Sequence, residues 1–570
     1  SGYLDIAVRP QLIIHGDAGI GKSHMLADFI DKESQDGRPS IFVLGNHLAS
    51  EEAPWHQIIR HVLRLDCNED DLLGALNAKA EARGEGILFV VDAINEGKGK
   101  IFWPNHIRSF LKRFEAYPWL AVVLSVRQTY KRLLVDSPLE EYSVTKIQHR
   151  GFEGVEYEAA LSFFSEFGLD IPSTPLLNPE FTNPLFLYMF CRGLASSPTK
   201  KFEKSANGII RVYENFVAGI EGSLSKPEKF DYPLSAKLLA KMLSELANYQ
   251  VVNNVTYIPY DIALEIANRF LSPHTHKRGF LEAVISEGVL SKNLLRVGPQ
   301  EYDDVIYFTY ERLSDFHVAM RLIESSNKFS AKKMFKKDGS LRPYVEKYSF
   351  KGVLESFAIL IPEKWGIELF SLLSLKDQKE SESLCYATLE SLLWRGNENL
   401  DTENIVQYFN RVRFSDSYSN SSFKKRYFEI IYALAGDVDH PFNAKRLHSK
   451  LSSLALPDRD VWWTIFLNDS DYEEHNFHRF VTWTQKYGQT APLSSEARAL
   501  LCIAISWFFT STNNSLRDGA TRSLVELLSN QLQLAKHLLM DYEPVDDPYV
   551  QERVFLAIYG AALCYKYKEG

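Results

Sequence analysis

Residues 13–25 read IIHGDAGIGKSHM, and they contain the pattern G-x-x-x-x-G-K-[ST] at residues 16–23. An apolar run at residues 12–14 precedes the pattern, and apolar residues at helical spacing follow it. A strand, a glycine-rich loop and a helix in this order form a phosphate-binding loop, because successive backbone N–H groups and the helix N-terminus then face phosphate oxygens. The stretch therefore predicts an α/β domain that binds a nucleotide.

The side chains of this loop suit separate tasks. Lys22 is expected to reach the outer phosphates, and the hydroxyl of Ser23 to bind Mg²⁺. No segment like the guanine-specifying N-K-x-D occurs, which favours ATP over GTP. The predicted nucleotide-binding residues are Gly16, Asp17, Ala18, Gly19, Ile20, Gly21, Lys22, Ser23 and His24.

A second apolar run, residues 87–91, ends in Asp92, and Glu96 follows four residues later. A buried strand that carries a carboxylate at its C-terminal end is how P-loop proteins hold Mg²⁺, and a further acid can orient or deprotonate the attacking water. We therefore predict Asp92 as the magnesium acid and Glu96 as the catalytic base. An acid after a strand is otherwise an ordinary loop or cap residue, so this prediction depends on the loop upstream.

A third apolar run, residues 119–124, leads into Arg127. A cation at such a strand tip can sense the terminal phosphate, which would place this strand between the other two. The alternative is a surface arginine at the sheet edge. The order of loop, acid pair and arginine fits a hydrolytic ATPase better than a small-molecule kinase, so the catalytic candidates are Lys22, Asp92, Glu96 and Arg127.

Several segments together resemble the STAND class of signal-transduction ATPases, close to its NACHT branch, and within it the bacterial antiviral STAND proteins called Avs. The resemblance covers residues 1–325 well and the remainder less securely. It is carried by the phosphate loop, FVVDAINE at 89–96, LSVR at 124–127, KIQHRGFEG at 146–154, NPLFLYMFC at 183–191 and DDPYVQERVFLAIYGAAL at 546–563.

The resemblance implies that Pro184 approaches the adenine, although a proline that opens a helix is an equally compatible interpretation. It also implies a winged-helix domain, and three amphipathic segments followed by two short apolar runs support that domain independently. Tyr310 stands where relatives carry a nucleotide-contacting histidine, and His317 lies further along. We expect His317 to be a core or surface residue rather than a ligand.

The C-terminal segments are amphipathic and show few strand signals, which predicts an irregular array of helix pairs. In its last helix, Asp547 is the predicted cap, Pro548 the first-turn residue, and Val550, Val554, Phe555 and Ile558 the buried face. The predicted domains are a P-loop NTPase domain at 1–150, a helical domain at 151–224, a winged helix at 225–327 and a helical sensor array at 328–570.

Charge, cysteine content and hydropathy indicate the cellular location and the classes of partner that the protein can have. The net charge of −9 gives no global attraction to nucleic acid or to an anionic membrane. The five cysteines are far apart, and no uncharged apolar stretch of 18 residues occurs, so we expect a cytoplasmic protein without disulfides. Single histidines, His56 and His61 among them, are expected to be ordinary surface or core residues. The chain opens without Met close to the phosphate loop, which suggests a piece of a longer protein.

The resemblance implies an ATP-binding switch in which the C-terminal array recognises a protein target, a phage terminase or portal protein. Binding would drive homo-oligomerisation, into a tetramer, and activate an effector that this chain lacks. ATP hydrolysis would then be slow or triggered by the target, and direct nucleic-acid binding is not expected. The alternatives are an AAA-type ATPase that remodels nucleic acid or protein, and a STAND transcription regulator that uses the winged helix on DNA.

Overall fold

The structure is a computed structural model, and it describes most of the chain. The described residues are 9–16, 19–48, 50–96, 98–136, 138–196, 208–271, 279–296, 302–326, 328–347, 350–412, 417–469, 476–529 and 531–569. Asp17 and Ala18, two of the predicted nucleotide-binding residues, lie outside the described residues.

The N-terminal part is built on a five-stranded parallel sheet of order β2-β3-β4-β1-β5. Its strands are β1 (Gln11–Gly16), β2 (Ser40–Leu44), β3 (Ile87–Asp92), β4 (Leu120–Arg127) and β5 (Thr145–Gln148). The strand that ends in Arg127 lies between the strand of the phosphate loop and the strand of Asp92, as the sequence predicted. All three therefore present their carboxyl ends at one edge.

Both faces of this sheet are covered, which explains why its central strands are uninterrupted apolar runs. On β3, Ile87, Phe89 and Val91 pack in one cluster with Trp55 and Phe110, while the residues between them face the opposite side of the sheet. The helices of this part are α1 (Lys22–Gln35), α2 (Pro54–His56), α3 (Glu69–Arg83), α4 (Gly99–Phe114) and α5 (Gln128–Lys131), with π-helical turns at Gln57–Val62 and Arg132–Asp136.

Two further parts follow the sheet. The first, which we call the helical segment, contains α6 (Glu156–Glu166), α7 (Pro184–Ala195) and α8 (Ile209–Leu224). The second contains α9 (Leu238–Asn253), α10 (Tyr260–Arg269), α11 (Phe280–Ser286) and α12 (Glu311–Glu324) together with three strands. The strands β6 (Ile258–Pro259), β7 (Leu290–Arg296) and β8 (Tyr302–Phe308) form an antiparallel sheet of order β6-β8-β7.

We call residues 238–324 the hairpin module, after the β7–β8 pair. The three amphipathic segments noted in the sequence form α9, α10 and α11, and the two short apolar runs contribute to β7 and β8. One face of α9 is buried, with Leu238, Leu239, Met242, Leu243 and Leu246 on it. His317 packs here against Phe308, with ring centroids 5.7 Å apart, and burial lowers the pKa of His317 to about 4. Packing of this kind is one of the two roles, core or surface, expected from the sequence, and the expectation that His317 binds no nucleotide stays a prediction. The winged-helix assignment itself stays a prediction.

The described residues after 328 contain helices and no strand. The helices are α13 (Ala331–Met334), α14 (Arg342–Glu346), α15 (Lys351–Trp365), α16 (Leu375–Glu380), α17 (Glu382–Ser391), α18 (Thr402–Arg411), α19 (Ser417–Leu434), α20 (Ala444–Ser452), α21 (Leu456–Arg459), α22 (Ile465–Asp469), α23 (Asn476–Tyr487), α24 (Ser495–Ser506), α25 (Asn514–Leu528), α26 (Gln533–Tyr542) and α27 (Pro548–Glu569). We call the residues after 328 the tail. One apolar cluster includes residues from Tyr157 to Ala561, so the tail shares its core with the helical segment and the hairpin module.

The last helix was predicted correctly in position and only partly in face. α27 begins at Pro548, and Asp547 caps it by accepting a hydrogen bond from Val550 N at 3.2 Å. Val550 and Val554 are buried, but Phe555 is 62% exposed, so its predicted burial is wrong. Small side chains, Ala557 and Ala561, extend the buried stripe instead. No helix among the described residues combines the length and the apolar content needed to cross a membrane.

Candidate nucleotide-binding site

The phosphate loop leaves β1 at Gly16 and enters α1 at Lys22. Gly19 and Gly21 have φ angles of 72° and 91°, a left-handed backbone that other residues adopt only with strain. Lys22 is buried, and its Nζ donates to the carbonyl oxygen of Gly16 at 2.8 Å. The ammonium therefore lies within the loop, as expected of the lysine that reaches the outer phosphates. Ser23 is exposed in the first turn of α1, and so is His24.

The segment that starts α7 packs directly on the loop. A Cβ added at Gly19 would lie 2.8 Å from Leu185 Cδ2, and one added at Gly21 would lie 3.4 Å from Pro184 Cγ. Asn183 caps α7 by accepting hydrogen bonds from the backbone N–H groups of Leu185 and Phe186. Pro184 thus opens a helix and also lies beside the loop. Its adenine contact stays a prediction.

His149 is a residue of this site that the sequence did not single out as a ligand, although KIQHRGFEG contains it. Its backbone N–H donates to His15 O at 2.8 Å, and a Cβ at Gly21 would be 3.8 Å from its Nε2. Burial, together with the charge of Lys22, lowers the pKa of the His149 imidazole. A neutral ring therefore borders the loop. On the same side, the buried Ile20 side chain packs toward Gly151.

Asp92 ends β3 with its side chain buried, and a neighbouring strand fixes it. Ser125, on β4, donates its hydroxyl proton to Asp92 Oδ1, and Ser125 Oγ in turn accepts from Ala93 N at 2.7 Å. Because the serine holds one carboxylate oxygen, the orientation of the Asp92 side chain is set before any ion binds. Ser125 belongs to the LSVR segment, but its contact with Asp92 could not be predicted from the sequence because it depends on the pairing of β3 with β4.

Arg127 is the point where the sheet meets the hairpin module. Its guanidinium donates to Glu96 Oε1 at 3.3 Å and to Asn293 Oδ1, on β7, at 3.0 Å. Its backbone N–H donates to Asn95 Oδ1 at 3.0 Å. Arg127 and Glu96 were predicted from the sequence as site residues, whereas Asn95 and Asn293 were not. Asn293 carries no local signal, because it lies 166 residues away from Arg127 in the chain.

The buried donors at this edge suit an anionic ligand with a cation. Asn95 Nδ2 is buried and has no hydrogen-bond partner among the described residues, so it is a donor for which a bound phosphate or water would supply the acceptor. Lys22, Ser23 and Asp92 supply the ammonium, hydroxyl and carboxylate that a magnesium nucleotide requires. A cavity of about 420 Å³ lies beside Arg127, among the sheet edge, the hairpin module and the segment with Tyr344 and Val353, and Asn293 and Asp315 line it.

No protein-family model and no curated protein matches this sequence. Among solved structures, the crystal structure of Cdc6p from Pyrobaculum aerophilum is similar over 57% of this chain and 92% of that chain, with 14% identity and a TM-score of 0.25. The Aeropyrum pernix ORC1 protein in complex with DNA is similar over 56% of this chain and 89% of that chain, with 12% identity and a TM-score of 0.24. The strand order and the loop geometry described above are those of a P-loop NTPase fold.

Proposed function

We propose that this protein is an ATP-dependent switch of the STAND type, in which the nucleotide controls the contact between the parallel sheet and the hairpin module. The observation that supports the proposal is the double contact of Arg127, which bonds both Glu96 and Asn293. One side chain thereby links the residue predicted to activate water to a strand of another module. Such a link is unnecessary for hydrolysis and useful for signalling.

The chain's own residues divide the work at the nucleotide. The loop amides and Lys22 bind the phosphates, while Ser23 and Asp92 hold Mg²⁺, with Ser125 fixing the Asp92 carboxylate. The ion would supply neutralising charge to the phosphate oxygens. Glu96 positions the attacking water and accepts its proton. In this arrangement hydrolysis resets the switch rather than performing continuous work.

Coupling arises because Arg127 has two sets of partners. A terminal phosphate near the strand tip offers the guanidinium an ionised acceptor, which makes a stronger bond than the neutral amide oxygen of Asn293 does. ATP therefore draws the guanidinium from β7 and loosens the hairpin module, whereas the nucleotide-free site leaves the contact in place. By linkage, any partner that favours the loosened form also raises the affinity for ATP.

The tail is placed to transmit binding of a partner to the helical segment. Arg479, on α23, forms an ion pair with the buried Glu156 of α6 at 2.9 Å and donates to Leu176 O at 3.2 Å. Lys486 and Tyr487 of α23 both bond Glu158 of α6. A target that repositions α23 would therefore move α6, which belongs to the segment that packs on the phosphate loop.

The target itself is proposed from the resemblance to antiviral STAND proteins. A phage terminase or portal protein would bind the helical tail, whose last helix exposes Phe555, Leu556, Tyr559 and Leu563. Binding would assemble copies of the chain into a tetramer and activate an effector. Exposed aromatic and aliphatic side chains of this kind are the usual anchors of protein interfaces.

Light scattering tests this proposal. The mass of the protein is measured with ATP and Mg²⁺, before and after addition of purified terminase and portal proteins. Assembly that requires both ATP and one of these proteins, and that Lys22→Ala abolishes, supports the switch. Fast ATP turnover by the isolated protein with no change in mass, whatever protein is added, favours a conventional AAA-type remodelling ATPase instead.

A transcription regulator is disfavoured by the charges on the hairpin. Lys292, on β7, forms an ion pair with Asp304 on β8 at 2.8 Å and lies over the ring of Tyr260. Contacts to DNA phosphates require available cations, and the charge of Lys292 is already compensated by Asp304. Duplex DNA binding at low salt that weakens steeply as salt is added would revive this alternative.

A further inference from the structure

Two histidines and a glutamate converge on the surface of the N-terminal part. Glu52 Oε2 lies 3.3 Å from His56 Nδ1 and 3.1 Å from His61 Nε2. The three ligand-capable atoms all lie within 4.8 Å of one another, and each of the three residues is exposed. The Ser50 hydroxyl also donates to Glu52 Oε2, at 3.0 Å.

The convergence depends on an unusual backbone. His56 ends α2, and the chain then continues as the π-helical turn Gln57–Val62. In an α-helix residues five apart point in different directions, whereas π-helical i to i+5 bonding brings them onto one side. The rings of His56 and His61 accordingly meet edge to face, with centroids 5.7 Å apart. π-turns are rare and are often found at functional sites.

A buried side chain fixes the third member of the cluster. Gln57 is 1% exposed, and its amide donates to Ser50 O at 3.1 Å and to Glu52 O at 2.6 Å. It also accepts from Ser50 N at 3.1 Å. Gln57 begins the same π-helical turn that carries His61. Its hydrogen bonds therefore fix the position of the loop with Glu52 relative to that turn. The cluster is thus preorganised at its backbone, while its side chains remain open to solvent.

We propose that Glu52, His56 and His61 form a binding site for a divalent transition-metal ion of the zinc class. Zinc binds imidazole nitrogen and carboxylate oxygen at about 2.0–2.2 Å, so tetrahedral ligand atoms lie about 3.3–3.5 Å apart. The separations of 3.3 Å and 3.1 Å between Glu52 Oε2 and the two histidine nitrogens are close to this value. Two imidazoles and one carboxylate are a ligand set that such ions accept, and hard ions such as Mg²⁺ prefer oxygen alone. A fourth position remains open to water or to a further ligand.

The site adjoins the segment that carries the predicted catalytic base. Gly45, at the start of the same loop, lies so close to the backbone that a Cβ there would be 2.2 Å from Ala93 O. Lys98 N donates to Leu48 O at 3.3 Å, and Lys98 Nζ forms an ion pair with Glu51 at 3.2 Å. A metal ion that clips Glu52 to the π-turn would therefore stiffen the loop that borders the Ala93 to Lys98 stretch.

Titration of the nucleotide-free protein with Zn²⁺ tests the site, with no Mg²⁺ present. We expect one equivalent of Zn²⁺ to bind. His56→Ala or His61→Ala should weaken that binding at least about tenfold, because loss of a residue that only hydrogen-bonds to a metal ligand already lowers metal affinity about 10- to 100-fold. The matched control is His47→Ala, which removes an exposed histidine from the same loop and leaves the cluster intact. Equal affinity in all four proteins would overturn the proposal.

Co²⁺ provides a second readout that does not depend on variants. Bound at this site, it should give the visible absorption of a four-coordinate ion without a sulfur-to-metal band, and Zn²⁺ should displace it one for one. A sulfur band would instead assign the ion to cysteine, and a weak six-coordinate spectrum would mean that the cluster does not bind it. Either of these spectra contradicts the proposed ligand set.

Discussion

The guanidinium of Arg127 lies 3.3 Å from the carboxylate of Glu96, so the predicted phosphate sensor and the predicted base form an ion pair. The two side chains are 23% and 35% exposed, and ion pairs with this much solvent access are worth little in free energy. The pair can therefore be broken by a competing phosphate. A contact that is ordered and weak is suited to a switch.

Glu96→Gln tests the assignment of the base. The amide keeps the size of the side chain and still accepts a hydrogen bond from Arg127, so ATP binding should be retained. Hydrolysis should fall by about 10²- to 10⁴-fold, because the amide cannot accept the proton of water. Single-turnover hydrolysis of bound ATP measures this directly. A normal rate would remove Glu96 from the mechanism, and loss of ATP binding would mean that the residue supports the fold of the site.

Asn293→Ala tests the link to the hairpin module. Without the amide oxygen, Arg127 loses its partner on β7, and no bond to Asn293 competes with the terminal phosphate for the guanidinium. The affinity for ATP should therefore rise by up to about tenfold, which corresponds to about 1.4 kcal/mol. Lys292→Ala is the matched control, because it changes the neighbouring residue on the same strand and leaves the Arg127 contact in place. Calorimetric titration with ATP compares the two variants. Equal affinities would show that the contact is not coupled to the nucleotide.

Gly19→Ala should abolish tight nucleotide binding. The substitution forces a side chain into a left-handed backbone, at a cost of about 1–2 kcal/mol, and it also places Cβ against Leu185. Gly84→Ala is the control, since Gly84 has a φ of 66° and no atom within 4 Å of the added carbon. Both variants should lose thermal stability, and the Gly19 variant alone should lose ATP affinity. Equal ATP affinity in the two would mean that the loop tolerates the contact with α7.

Asp315 should make the stability of the protein depend on pH. Burial raises the pKa of its carboxyl to about 7, with Glu311 and Glu355 adding to the effect and Arg312 opposing it. An aspartate in the unfolded chain titrates near about 3.9, so the native state holds the extra proton between these values. The stability that the protonated group contributes is therefore present below about pH 4 and is lost as pH rises to about 7.

Asp315→Asn should flatten this dependence, because the amide mimics the protonated acid. Unfolding midpoints in urea, measured from pH 4 to pH 8, provide the comparison. The exposed Asp458→Asn should follow the wild-type profile. If Asp315→Asn loses stability with rising pH as steeply as the wild type does, then another group is responsible.

The sequence was sufficient for features that depend on neighbours in the chain. The strand, loop and helix around Lys22 are read from local spacing, and the position of β4 between β1 and β3 was predicted from a cation at its tip that could sense the terminal phosphate. Burial on both faces of the sheet is visible as unbroken apolar runs. The first turn of α27 was also predictable, because a cap and a proline act over four residues.

Features that depend on tertiary contacts could not be read in this way. Asn293 meets Arg127 only after the hairpin module folds against the sheet, and a single asparagine in a strand gives no signal of this. Phe555 was assigned to the wrong face because an apolar helix with large residues on both sides has no unique periodicity. His56 and His61 were missed as a pair because a spacing of five matches no face of an α-helix.

ATP at the phosphate loop should weaken the hold of Arg127 on the hairpin module. Hydrogen–deuterium exchange in a peptide covering Leu290–Arg296 tests it, with the wild type, Lys22→Ala and Arg127→Ala each measured with and without ATP and Mg²⁺. ATP should speed exchange in the wild type, have no effect on Lys22→Ala, and add nothing to the already fast exchange of Arg127→Ala. Exchange in the ATP-saturated wild type that equals exchange in the nucleotide-free protein would contradict it.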